Sequence, residues 1–208
     1  DSGIKFSNIF DASNTDPGDA TYKKVVTYNG TEWLRLKSGM DKAAAFLETR
    51  RYAALKGATT EFSKMEYITY NSIDRKFYVV ISRIETRMTD GAGDIKVSRN
   101  DGGAVLEMVT ASGVKDSAGA TINSSYAGTT MATIPELVGG WSTKLDAEGN
   151  ACTQEKICGP DNVVYVPAIR TLFIGEDTSR RNNNYVWAFN IDNKRLDRVL
   201  SVPMYAEA

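Results

Sequence analysis

The densest polar constellation in the chain is Gly175-Glu176-Asp177-Thr178-Ser179-Arg180-Arg181-Asn182-Asn183-Asn184. Adjacent carboxylates repel one another unless a cation or an arginine neutralises them. Oxygen-only donor sets suit hard ions such as Ca²⁺, Mg²⁺ or iron. The paired guanidinium groups of Arg180 and Arg181 could grip a phosphate bidentately beside such an ion. The same residues would equally make a hydrophilic hairpin loop. Histidine is absent from the sequence. Its absence excludes within this chain every Ser-His-Asp or Cys-His triad, every histidine general base and every histidine-ligated zinc, copper or haem site. Chemistry here is left to carboxylates, Arg, Lys, Tyr or bound oxygen-preferring cations.

The remaining composition narrows the classes further. The 208 residues are 42% hydrophobic and 25% charged, which indicates an ordinary globular chain able to bury a core. Lys and Arg total 25 against 26 Asp and Glu, so no global basic field exists for nucleic acid. No apolar run approaches the roughly 18 residues of a membrane helix, so no membrane partner is expected. Cys152 and Cys158 supply too few ligands for a zinc site. They read either as a disulfide closing a small loop, suiting an oxidising compartment, or as two free thiols; the polar Thr153-Gln154-Glu155-Lys156 between them favours the disulfide. Asp1 is no initiator Met, and Val202-Pro203-Met204-Tyr205-Ala206-Glu207-Ala208 stops without a cap. The expectation is one domain over 1–208 that is a fragment of something larger.

Period-two hydrophobicity dominates, and it predicts an all-β fold. Lys24–Tyr28 and Thr31–Leu36 flank Asn29-Gly30, a strong hairpin signal. Tyr67–Asn71 and Phe77–Ser82, Asn162–Val166 and Leu172–Gly175, and Tyr185–Ile191 and Leu196–Val202 read as three further hairpins. Gly- and Ser-rich stretches at 89–103 and 111–130 read as long loops. One helix is predicted over 39–56, with Ser38 as N-cap, Gly57 as C′ residue, and Ala43, Ala44, Phe46, Leu47, Ala54 and Leu55 on its apolar side.

Residues 66–81 lie without gaps on 161–176, an offset of 95 that pairs Ile68, Tyr70, Phe77, Tyr78 and Val79 with Val163, Tyr165, Leu172, Phe173 and Ile174. Each unit opens on an acid, runs a strand, turns and runs a second strand. Propeller blades repeat every 40–50 residues or so, so 95 reads as about two blades, with Gly102–Val109 and Trp141–Leu145 as strands between. This predicts β-propeller-like antiparallel meander blades, weighed against a sandwich or barrel. Glu66 and Asp161, opening equivalent units, would share one mouth of the channel with Glu176, either as metal-ligating carboxylates or as solvated strand-end acids.

Short motifs in order along the chain resemble the PhoX-type alkaline phosphatase family. They are Lys64-Met65-Glu66-Tyr67-Ile68-Thr69-Tyr70 with Tyr78-Val79-Val80-Ile81-Ser82, then Gly103-Ala104-Val105-Leu106-Glu107, Gly159-Pro160-Asp161-Asn162-Val163, and Gly175-Glu176-Asp177-Thr178 leading to Asn184-Tyr185-Val186-Trp187-Ala188-Phe189. The resemblance runs over about residues 40–200 and matches the later part of that family. It implies a periplasmic or secreted six-bladed propeller that hydrolyses phosphate monoesters with calcium and iron at its channel, Glu66 and Glu176 matching metal-ligand carboxylates. The family's Trp-Gly-Thr-Trp segment is absent, and Ile174 stands where the family has Arg two residues before the acid of Gly-Glu-Asp. A complete active site is therefore not expected in these 208 residues, which alone should be inactive and bind iron poorly; the alternative is a non-catalytic propeller module that binds a ligand or protein. An unclosed blade array is expected to be self-associated or bound to the remainder of its parent chain.

Overall fold

The computed structural model describes residues 3–27, 30–116 and 118–202. Asn29 of the Asn-Gly hairpin signal and residues 203–208 of the expected abrupt terminus lie outside the described residues. The chain forms two compact units, 1–60 and 61–208.

The first unit contains α1 (Phe6–Ile9), β1 (Phe10–Ser13), β2 (Lys23–Thr27), β3 (Gly30–Leu36), α2 (Asp41–Leu47) and α3 (Thr49–Leu55). Its three strands form an antiparallel sheet in the order β1-β3-β2. Ile9, Phe10, Val25, Leu34 and Ala44 are its buried core. The single helix expected over 39–56 is divided at Glu48, whose φ of -132° and ψ of 42° leave the helical region. The break re-aims the apolar face. Ala43, Ala44, Tyr52, Ala54 and Leu55 turn inward, whereas Phe46 and Leu47 are 77% and 58% exposed. Met40, not Ser38, is the N-cap of α2, and no side chain caps it. The C-terminal expectation is met in full. Gly57 has φ +96°, its N–H bonds Ala54 O at 3.0 Å, and Ala58 N–H bonds Ala53 O at 2.9 Å, a Schellman closure.

The second unit is two four-stranded antiparallel meanders. Blade 1 is β4 (Met65–Asn71), β5 (Lys76–Ile81), β6 (Ala104–Ala111) and β7 (Ala127–Val138). Blade 2 is β8 (Pro160–Val166), β9 (Thr171–Glu176), β10 (Tyr185–Asn190) and β11 (Leu196–Ser201). The all-β, propeller-like meander architecture is thus present, and the offset of 95 extends to pairing register. Met65 opposes Ile81 and Tyr67 opposes Val80; 95 residues on, Pro160 opposes Glu176 and Asn162 opposes Gly175. Both turns end on a left-handed arginine, Arg75 at φ 56° and Arg170 at φ 49°. Each arginine's carbonyl accepts a backbone N–H at the far end of the third strand, from Thr110 at 3.1 Å and Ile191 at 3.0 Å.

The 95-residue offset is one blade step rather than two. The strand expected at Trp141–Leu145 is absent, leaving an isolated bridge between Trp141 and Cys152, and β6 belongs to blade 1 itself. The step is long because the 82–103 and 112–126 connections, the twelve-residue β7 and the 139–159 connection all lengthen it.

Strand alternation gives every blade two faces. On blade 1, Tyr78, Val80 and Val105 point one way and pack against Val163, Tyr165, Leu172, Ile174, Trp187 and Phe189 of blade 2, forming the largest core. The opposite face of blade 1, with Val79, Ile81, Ala104 and Leu106, is covered by Ile84 and Met88, with Phe62 and Ile95 packed against them. Backbone contact joins the blades where Gly159 N–H meets Gly102 O at 2.9 Å. Gly103 stands beside this junction at φ +69°, and a Cβ there would lie 2.1 Å from Ile81 O. Only glycine fits both demands.

Candidate functional site

Glu66 and Asp161 occupy one structural position in the two blades. Each is the extra residue of a β-bulge at the start of its blade's first strand, where pairing shifts between Met65 and Tyr67 and between Pro160 and Asn162. A bulge removes its residue from the in–out alternation and re-aims the side chain. The two strands are neighbours, Tyr165 N–H donating to Thr69 Oγ1 at 3.2 Å, so both acids open the same end of the blade pair. Glu66 is exposed and accepts a hydrogen bond from Ser82 Oγ at 2.8 Å. Asp161 accepts one from Asn162 Nδ2 at 2.8 Å. The position matching Ser82 in blade 2 is Asp177, an exposed carboxylate where blade 1 carries a hydroxyl.

Glu176 is placed differently. It ends β9 on the face packed against blade 1, has no exposed surface, and corresponds to Ile81, itself fully buried. Its oxygens are surrounded by N–H donors: Oε1 accepts from Cys158 N at 2.8 Å, from Trp187 Nε1 at 2.6 Å and from Arg181 Nη2, and Oε2 accepts from Tyr185 N at 3.0 Å. Burial pushes the Glu176 carboxyl up from its ordinary value, and the Arg181 charge opposes that rise. Arg181 is buried as well. It donates to Thr153 O at 2.8 Å and Lys156 O at 3.2 Å, and its guanidinium lies 4.2 Å from the Tyr185 ring centre. This pair therefore ties the 152–158 loop to the blade–blade core, with the Cys152–Cys158 disulfide closing the loop and Ile157 buried in the same core. Arg180 is bound too: its Nη2 donates to Asp101 Oδ2 at 2.7 Å. Asp101 is also gripped by Arg99 at 2.7 and 3.0 Å. The Arg99 guanidinium first, then Arg180, hold Asp101 down to about 2.

The sequence-level candidates thus separate. Glu66 and Asp161 share one end at equivalent bulges. Glu176 and Arg181 are bonded to each other inside the protein, both of them buried. Arg180 is engaged by Asp101. Among the described residues no group of three or more Asp, Glu, Cys or His is placed to hold a metal ion. Asp101 and Arg99 escaped the sequence reading because nothing in their spacing links them to Arg180. The burial of Glu176 did leave a signal, since the internal alignment sets it on the apolar Ile81.

No family model matches the sequence, and no curated protein matches it. Among solved structures, the fold is similar to that of Pseudomonas fluorescens PhoX in complex with vanadate, a transition state analogue, with a TM-score of 0.50 and 16% sequence identity. The likeness covers 96% of this chain and 35% of that one, so this chain spans about a third of the length of PhoX and shares its fold over that third.

Proposed function

We propose that this chain is part of a metal-dependent phosphate-monoester hydrolase of the PhoX type, exported to the periplasm or secreted, with the 208 residues inactive alone. The observation that carries the reading is the coincidence of a PhoX-like fold over 96% of the chain with two carboxylates, Glu66 and Asp161, at equivalent bulges on one end of the blade pair. Calcium or iron bound there would draw further ligands from the remainder of the parent protein. In this reading Glu66 and Asp161 supply hard oxygen donors, while Glu176, Arg180 and Arg181 hold the surrounding framework in shape. The disulfide and the absence, among the described residues, of any helix long and apolar enough to cross a membrane are compatible with export.

A second reading, a non-catalytic blade module that binds a ligand or protein, is favoured by one observation: the arginines suited to phosphate are already bound to Glu176 and Asp101. Plasma mass spectrometry for metals and turnover of p-nitrophenyl phosphate by the intact natural gene product separate the two. Stoichiometric metal that falls in Glu66→Gln and Asp161→Asn, together with turnover, supports the hydrolase. A metal-free, inactive product refutes it.

A further inference from the structure

The end of blade 1 remote from Glu66 carries a recess of different chemistry. Glu66 sits where Met65 opposes Ile81 and Ile81 opposes Ala104, whereas β6 leaves the other end after Ala111, into the 112–126 connection. Residues of that connection surround a recess of about 880 Å³, within the range of about 300–1,000 Å³ usual for small-molecule sites. Ser112, Thr121, Asn123, Ser124 and Ser125 line it with four hydroxyls and an amide, and Tyr126 adds a ring that is 56% exposed. None of the eight lining residues is charged.

The frame of the recess is fixed while its polar lining is unspent. Lys115 and Thr121 form a bridge, Ile122 N–H donates to Val114 O at 2.8 Å, and Tyr126 N–H donates to Ser124 Oγ at 3.0 Å. Arg75 Nη2 donates to Ser125 O, tying the loop to the β4–β5 turn. The Tyr126 ring stands edge-on to Tyr70, 5.5 Å between centres and 73° between planes, and Tyr70 in turn packs on Phe77 at 4.6 Å. The side chains of Ser112, Thr121, Asn123 and Ser125 take no hydrogen bond among the described residues.

Such a lining is selective by what it lacks. With no charge on its walls it does not favour an ion, and a purely apolar guest would desolvate its hydroxyls without giving them a partner. The matching ligand is neutral, rich in hydroxyls and apolar on one face. A sugar ring has this character: its C–H face lies flat on an aromatic ring while its hydroxyls bond neighbouring amide and hydroxyl groups. We propose that the 112–126 recess binds a neutral saccharide, with Tyr126 as the stacking platform and Thr121, Asn123 and Ser125 as hydrogen-bonding groups. Lying at the opposite end of the blade from the bulge acids, it is an anchoring site separate from any phosphate-ester centre, and it stands or falls independently of the hydrolase reading.

Saturation-transfer difference NMR on the intact natural gene product tests this, with neutral hexasaccharides of α-glucan, β-glucan, xylan and mannan as probes and glucose 6-phosphate as the charged control. At least one hexasaccharide should show transfer to its ring C–H protons. Tyr126→Ala should weaken that binding about tenfold or more, whereas Tyr126→Phe, which keeps the ring, should retain most of it. Should Tyr126→Ala lose its β-sheet circular dichroism, Thr121→Val with Asn123→Leu replaces it and should show the same loss. No transfer to any hexasaccharide at millimolar concentration, binding that survives these variants, or tighter binding of glucose 6-phosphate overturns the proposal. Turnover of p-nitrophenyl phosphate, measured on the same variants, should stay at the wild-type value, so a failure of saccharide binding is read apart from a failure of hydrolysis.

Discussion

Arg181→Met is the sharpest probe of how this protein is held together. Methionine keeps much of the volume of the stem and loses the charge, leaving Glu176 fully buried with three neutral donors, Cys158 N, Tyr185 N and Trp187 Nε1. Removing one partner of a buried ion pair costs about 3–5 kcal/mol, because the charge left behind is uncompensated. For a chain of this length each kcal/mol moves the melting temperature by about 2–4 °C, so Arg181→Met should lower it by roughly 6–20 °C. Trp187 lies in the site, which lets its fluorescence report the transition directly. The double variant Glu176→Met/Arg181→Met removes both charges and should regain most of the loss, since apolar replacements of similar volume are often neutral or better. A melting temperature within about 2 °C of wild type for Arg181→Met refutes the view that this pair is an internal tie.

Two further predictions follow from groups nearby. Asp101 is held down to about 2 by Arg99 and Arg180, so its contribution is present above its unfolded value near 3.8 and is lost as pH falls from there through about 2; urea midpoints measured between pH 5 and 2 should fall steeply in wild type and less steeply in Asp101→Asn. Reducing Cys152–Cys158 opens a short closed loop and should cost about 2 kcal/mol by chain entropy, so a thermal melt with and without a phosphine reductant should differ by several degrees, whereas Cys152→Ser/Cys158→Ser should melt the same in both.

Much of the second unit was legible because each of its hairpins carries its own alternation and turn residues. Met65–Asn71 with Lys76–Ile81, and Pro160–Val166 with Thr171–Glu176, were readable within a residue or two. What misled was spacing. A repeat offset assumes connections of standard length, and the long connections between β5 and β8 stretch one blade step to 95 residues. The helix failed for another reason: Phe46 and Leu47 fit a continuous helical stripe, but the departure at Glu48 turns them outward, and no residue type in 39–56 announces a break. At the candidate site, the internal alignment set Glu66 and Asp161 at equivalent positions, whereas residue chemistry missed that Glu176 faces the core. A glutamate between Gly175 and Asp177 looks polar in a one-dimensional string. Only its place in the alternation shows which way it points.

The paired bulges carry a consequence for how such a protein can change. Every other position on the first two strands of each blade is bound to inside or outside by the period of two, so altering its chemistry alters packing. The bulge residue alone is released from that bond, and surface replacements away from packing or capping usually shift stability by less than about 0.5 kcal/mol. Blade 1 therefore offers, in the exposed Glu66, a position where an acid, an amide or a hydroxyl can be exchanged at little cost to the scaffold, and the half-buried Asp161 holds the same place in blade 2. A ring of blades built on this register would present a circle of freely editable side chains around a fixed frame, and its chemistry could drift while its shape stayed put.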